Sequence, residues 1–190
     1  MRIFLAEDDP IILSGFSMMV QALGHEVVGM ATDGKAAVEK ILELQPDLIL
    51  MDINMPQIDG ISAIEACNRE KVFPCIIITG YRDEEQIKRA TVAGVYGYLH
   101  KPVDEYQLRA EISVVMERHR DYMRLEQELI HAKTSLEERK IIERAKGIVM
   151  DKMNLKEADA FSFLQKKSRD KNMKLINVAY EIIKANELFK

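Results

Sequence analysis

The chain has 190 residues, with 27 Lys and Arg against 31 Asp and Glu and a formal net charge of −4. That length suits one large domain or two small ones, and 47% apolar residues can build a packed core, which excludes wholesale disorder. No stretch approaches the roughly 18 to 20 uncharged apolar residues of a membrane span, the acidic start is no signal peptide, and two cysteines without metal-type spacing, Cys67 and Cys75, argue against a disulfide scaffold or zinc site and for a cytoplasmic home.

Residues 1–102 hold all five prolines and eight of the nine glycines. Short apolar runs recur there at Arg2–Ala6, Val27–Met30, Leu48–Met51, Cys75–Thr79 and Val95–Leu99. Their length and β-branched content predict buried strands. Segments of helical period separate them: Ile11–Leu23, Lys35–Glu43, Ile61–Arg69, Glu84–Val92 and a last one from about Glu105. Five βα units predict an α/β fold, a five-stranded doubly wound parallel sheet with helices on both faces. Its functional groups belong at the carboxyl ends of the strands.

From Val103 to Lys146 there is neither Gly nor Pro, which predicts long helix. Val115, Tyr122, Leu125, Leu129, Ala132 and Leu136 follow 3–4 spacing, interrupted by Arg118. They predict a short, imperfect coiled-coil seam joining two chains, with Tyr122, Leu125, Leu129 and Leu136 at its centre. Three amphipathic helices then follow, over about 139–153, 154–169 and 172–188. Asn154 with Glu157 could form a capping box, and Asn172 is a plausible N-cap. Charge changes sign along the chain. Residues 1–102 carry net −6, residues 103–138 net −4 and residues 139–190 net +6.

Asp8 and Asp9 follow the first strand, Asp52 ends the third, Thr79 ends the fourth and Lys101 follows the fifth. In a doubly wound sheet these ends converge on one rim. Three carboxylates repel unless a cation offsets them. Magnesium takes oxygen ligands and usually keeps waters, which suits this set. One carboxylate is then available as a nucleophile toward a phosphoryl group, with Lys101 and Thr79 beside it as charge and hydrogen-bond donor.

Residues 1–120 resemble the receiver domain of two-component response regulators, which has a flavodoxin-like fold. The resemblance rests on Glu7-Asp8-Asp9, on Asp52 with Ile53, Asn54, Met55 and Pro56, on Asp59-Gly60, on Thr79-Gly80 and on Lys101-Pro102. It implies that a sensor histidine kinase phosphorylates Asp52, in a self-catalysed, magnesium-dependent transfer. It implies that Asp8 or Asp9, with Asp52 and the backbone carbonyl of Asn54, binds Mg2+. It implies that Thr79 and Lys101 contact the phosphate and that Tyr98 is the switch aromatic.

In the basic module, helical geometry puts Lys140, Arg144 and Gly147 on one stripe and Arg139, Lys146 and Met150 on the next. Lys166, Lys167, Arg169, Lys171 and Lys174 cluster near the last turn. Such one-sided charge is an electrostatic footprint for nucleic acid. The run from Glu138 to Met150, with Ala145-Lys146-Gly147 at its heart, resembles the opening helix of the ANTAR domain, the RNA-binding module of transcription antiterminators. Glu157-Ala158-Asp159-Ala160-Phe161 and Val178-Ala179 are similar to its later helices. The resemblance covers residues 138–190, leaves 121–137 as a coiled-coil linker, and implies binding to hairpins in leader RNA. Mid-helix glycine is unfavourable by about 1 kcal/mol, so Gly147 predicts a close neighbour, another helix or an RNA phosphate. Phe161 is expected in the core, leaving Tyr180 as the only polar aromatic. Arg139, Lys140, Arg144, Lys146, Lys166, Lys167 and Arg169 are the expected RNA contacts.

The sequence thus reads as a transcription antiterminator that dimerises when phosphorylated, with an architecture that resembles those of ethanolamine-utilisation and related operons. RNA polymerase is a further candidate partner. The alternatives are a DNA-binding response regulator, a receiver-controlled protein-interaction module and a receiver-controlled enzyme. The last is disfavoured because no catalytic constellation follows residue 102.

Overall fold

The computed structural model describes residues 1–80 and 84–188. Five strands alternate with helices: β1 (Arg2–Ala6), α1 (Pro10–Ala22), β2 (Glu26–Ala31), α2 (Gly34–Leu44), β3 (Leu48–Met51), α3 (Gly60–Glu70), β4 (Cys75–Thr79), α4 (Glu84–Val92) and β5 (Gly97–His100). Then come α5 (Glu105–Met153), α6 (Glu157–Asp170) and α7 (Leu175–Leu188). The chain divides into two compact units, Met1–Met123 and Arg124–Lys190. No helix among the described residues is long and apolar enough to cross a membrane.

In the first unit all strand pairs are parallel and the order is β2-β1-β3-β4-β5. Successive side chains on a strand point to opposite faces, so each apolar run divides between two cores. Phe4, Ala6, Ile49, Met51 and Ile77 face one side, where they meet Ile41, Ile61, Ile64 and Ala90 of α2, α3 and α4. Ile3, Leu5, Leu48, Leu50, Ile76 and Ile78 face the other, where they meet Leu13, Phe16 and Val20 of α1 and Leu108, Ile112 and Val115 of α5. This two-sided burial is why the strands read as continuous apolar runs. Val115, expected in the intermolecular seam, is fully buried in this core.

Carboxylate caps start the helices beneath the rim. Asp9 accepts from the Ile11 and Ile12 amides, Asp33 from Ala36 and Asp59 from Ser62. Gly60 opens α3 where no side chain fits, because a Cβ there would strike the Asp52 carbonyl oxygen. Its amide donates to the Ile53 carbonyl at 2.8 Å, which ties the loop after β3 to the helix.

The fifth strand begins two residues later than expected, at Gly97, and ends one later, at His100. The expected boundary between the long helix and the first helix of the basic module does not exist: α5 runs unbroken for 49 residues. Side chains from residue 120 to 140 are all exposed, and the exposed apolar ones include Tyr122, Leu125, Leu129, Ile130 and Leu136.

In the second unit Ala145 and Val149 of α5, Ala160 and Leu164 of α6, and Val178, Ala179 and Ile183 of α7 form the core. Two expected caps are corrected. Asn154 and Asn172 do not start helices but adopt the left-handed conformation, with φ of 51° and 50°, in the turns that follow α5 and α6. Asparagine tolerates that region better than other side chains. The N-cap of α6 is Lys156, without a side-chain cap bond.

Gly60→Ala should destabilise the first unit by about 2–4 kcal/mol, because a backbone oxygen cannot yield as a side chain can. Urea or thermal unfolding measures it. A loss under about 0.5 kcal/mol, the range of ordinary surface substitutions, would contradict this packing.

Candidate phosphoacceptor site and basic module

The rim site follows from strand register. Ala6 of β1 lies beside Met51 of β3, so the next residues, Glu7 and Asp52, emerge together at the carboxyl edge. Both are buried, and Asp52 is only 5% exposed. The exposed Asp8 completes the group, with ligand oxygens of Glu7, Asp8 and Asp52 all within 4.8 Å of one another. Lys101 reaches in from beyond β5, its Nζ 2.6 Å from Glu7 Oε2 and 3.4 Å from Asp52 Oδ1. The Lys101 amide donates to the Thr79 carbonyl at 2.9 Å, and the Lys101–Pro102 bond is cis. Thr79, fully buried, ends β4 on the same edge.

One expected ligand is corrected. Asp9 stands outside the cluster because its carboxylate is committed to capping α1, 2.8 Å from the Ile11 amide. Glu7 takes its place. The signal for it was in the sequence: Glu7 directly continues the first apolar strand, as Asp52 continues the third. Asn54, itself exposed, lies two residues past Asp52 in the loop before α3, between the buried Ile53 and Met55. Tyr98 is half-buried against the core under α3 and α4, and its amide donates to Glu111 at 3.2 Å.

Burial pushes the Asp52 carboxyl above its ordinary range, while Lys101 pulls it down and Asp8 pushes it further up. Burial likewise raises Glu7, against the hydrogen bond from Lys101, with the Asp52 charge adding to the rise. One cation therefore offsets two buried acids incompletely. Asp52 Oδ1 is moreover buried with only the Lys101 ammonium, 3.4 Å away, facing it and no well-aligned hydrogen bond. A converging set of hard oxygen donors with an incompletely satisfied buried oxygen fits a divalent cation such as Mg2+.

In the second unit the expected RNA contacts separate into paired and unpaired cations. Lys146 is only 8% exposed, its ammonium held between Glu143 at 2.6 Å and Glu157 at 2.7 Å. The hydrogen bonds it donates to those carboxylates raise its pKa, so it stays charged while clamping α5 to α6. It joins α5 to α6, so the expected RNA contact at Lys146 is a cation already held by two carboxylates. The same pair consumes Glu157, expected in a capping box. Lys140 pairs with Glu137 and Arg144 with Glu187. Arg139, Lys166, Lys167 and Arg169 make no ion pair among the described residues. A Cβ on Gly147 would meet nothing within 4 Å, so no helix of this chain explains that glycine.

Residues 3–113 match the response regulator receiver domain and residues 131–183 match the ANTAR domain. The chain belongs to the response regulator receiver family, and it joins that receiver to an ANTAR domain. It is 34% identical over 182 residues to the transcriptional regulatory protein PdtaR of Mycobacterium tuberculosis, covering 96% of this chain and 89% of that one. It is 32% identical over 118 residues to the chemotaxis protein CheY of Treponema pallidum, covering 60% and 82%. Among solved structures, the receiver domain of a modulated diguanylate cyclase from Desulfovibrio desulfuricans G20 superposes with a TM-score of 0.56 at 29% identity, covering 62% of this chain and 94% of that one. A CheY-like receiver from Methanospirillum hungatei does so with 0.60 at 26% identity, covering 64% and 97%.

The raised pKa values fix a pH dependence. The folded site holds protons on Glu7 and Asp52 that the unfolded chain releases near 4.5 and 3.8, so stability falls as pH rises from those values through the raised ones. Asp52→Asn should therefore raise the melting temperature at pH 7, by about 2–4 °C for each kcal/mol relieved, with little gain near pH 4. Millimolar Mg2+ should stabilise the wild type at pH 7 and have much less effect on Asp52→Asn. Equal Mg2+ stabilisation of both proteins would contradict a cation held by Asp52.

Proposed function

We propose that Asp52 accepts a phosphoryl group from a sensor histidine kinase and that phosphorylation switches the chain into an RNA-binding dimer that acts as a transcription antiterminator. The observation that carries the first step is the buried Asp52 carboxylate, converging with Glu7, Asp8 and Lys101, its Oδ1 ion-paired with Lys101 at 3.4 Å but without a well-aligned hydrogen bond. That oxygen attacks phosphorus in line. An O–P bond forms, the N–P bond of the donor phosphohistidine breaks, and the imidazole leaves with its electron pair and takes a proton. Glu7, Asp8 and Asp52, with the Asn54 carbonyl, would hold Mg2+, which neutralises phosphoryl oxygens when bound. Lys101 supplies a second positive charge and Thr79 a hydroxyl donor.

The switch follows from charge. Once Asp52 carries a dianionic group, Lys101 and Thr79 have a stronger partner than before. Movement of Thr79 leaves room for Tyr98 to turn inward, which reshapes the surface of β5 and the start of α5. The exposed part of α5 supports a dimer as the outcome. Ion pairs on it such as Arg120 with Glu117 and Lys140 with Glu137 contribute only about 0.2–0.5 kcal/mol each, too little to justify an apolar row left in water. A second copy packed along Tyr122, Leu125, Leu129 and Leu136 would cover it.

Two copies bring two basic modules together, and linked sites raise apparent affinity through effective concentration. Residues 139–190 carry net +6, suited to RNA phosphates. Paired hairpins in a leader transcript are the fitting target, and holding them prevents a competing terminator from forming. The similarity to PdtaR supports transcriptional control but selects no operon.

Asp52→Ala should abolish labelling by a small phosphoryl donor in Mg2+, together with donor-dependent dimerisation and hairpin RNA binding. Sedimentation and RNA titration measure the last two. If the variant dimerised and bound RNA as the phosphorylated wild type does, Asp52 would not be the switch. Equal affinity for hairpin RNA and duplex DNA of the same length would overturn the RNA assignment.

A further inference from the structure

We infer that α6 is the helix that reads RNA in the second unit and that Phe161 on it is a stacking platform for an unpaired base. The inference rests on the RNA-binding reading above. It begins with a departure from the apolar stripe. Phe161 follows the core residue Ala160 and precedes the core residue Leu164, yet it is 36% exposed. Phe163 takes the place against the core instead. An isolated exposed Phe needs no explanation, so its surroundings decide.

Those surroundings are cationic on α6, where Lys166, Lys167 and Arg169 make no ion pair among the described residues, whereas several cations on α5 and beside α7 are held by acids. On α5, by contrast, Lys140, Arg144 and Lys146 are each held by a carboxylate. On α7 the exposed Tyr180 is flanked by Glu181 and Glu187, which hold Lys171 and Arg144. An approaching phosphate chain meets unpaired positive charge along α6 and closed ion pairs beside Tyr180.

Helical spacing completes the strip. Phe161, Gln165 and Arg169 stand at i, i+4 and i+8 of α6, all exposed. Arg169 Nε donates to the Gln165 carbonyl at 3.4 Å, so the guanidinium lies back over that turn. The strip thus offers a ring face for stacking, an amide that can both donate and accept at a base edge, and a cation for the backbone. Those are the three contacts that single-stranded loop bases take. A duplex stem buries its base faces and cannot use the ring. The Lys146–Glu157 clamp stands one turn before Phe161 and fixes the start of α6 against α5, which holds the strip rigid.

The test uses the full chain, phosphorylated with a small phosphoryl donor in Mg2+. The probes are RNA hairpins with one stem and a randomised loop of about eight nucleotides, and the same stem as a blunt duplex. Phe161→Ala should weaken hairpin binding about tenfold or more, the scale of one lost base stack, without changing the slope of affinity against salt. Lys166→Gln should reduce that slope by about one. Phe161→Trp should keep the affinity, and its fluorescence should be quenched by hairpins but not by duplex. Phe161→Ala binding as tightly as wild type would overturn the proposal while leaving RNA binding intact. So would loss of the dimer by sedimentation with unchanged affinity per dimer, which would make Phe161 a subunit contact. Failure of the wild type to bind any hairpin would overturn the RNA reading itself.

Discussion

At the rim of the sheet the Asp52 carboxylate sits almost out of water beside a second buried acid, Glu7, with Lys101 alone to offset two negative charges. The rest of the first unit serves that arrangement. Parallel pairing of β1 with β3 sets Glu7 and Asp52 side by side. Gly60 lets α3 close against the Asp52 backbone. The Lys101 amide, bonded to the Thr79 carbonyl, keeps the lysine at the same edge. A site under electrostatic stress answers strongly to a change of charge, which is what a phosphoryl switch requires.

The second unit handles charge in the opposite way. It has cations in excess, and its own carboxylates close several of them into ion pairs. Lys146 is nearly buried between Glu143 and Glu157 and gives its charge to the α5–α6 packing. Others, among them Arg139 on α5 and Lys166, Lys167 and Arg169 on α6, make no ion pair among the described residues. Net charge alone would have weighted all of them equally.

Between these regions α5 is continuous, from its burial under the sheet at Leu108, Ile112 and Val115 to its burial against α6 and α7 at Ala145 and Val149. Helical hydrogen bonding is satisfied within the segment, so the exposed stretch keeps its secondary structure without a core of its own. What it lacks, among the described residues, is cover for its apolar row at Leu125, Leu129, Ile130 and Leu136.

Much of this was legible in the residues. Strands buried on both faces have a distinct apolar signature, and β1, β3 and β4 begin and end where that signature does. The convergence of Asp8, Asp52 and Lys101 at one edge was legible from the strand ends, because a parallel sheet leaves little freedom over where its carboxyl ends go. Three things needed the tertiary structure. The choice between Asp9 and Glu7 depended on strand register and on a helix cap claiming Asp9. The roles of Asn154 and Asn172 depended on backbone conformation, since the same side chain caps either end of a helix. The exposure of Phe161 and the burial of Lys146 depended on how three helices rotate about their axes to share one core, and periodicity fixes such a rotation only to within about one residue, or 100°. Sequence determined which chemistries the chain carries; packing decided which side chains are free to perform them.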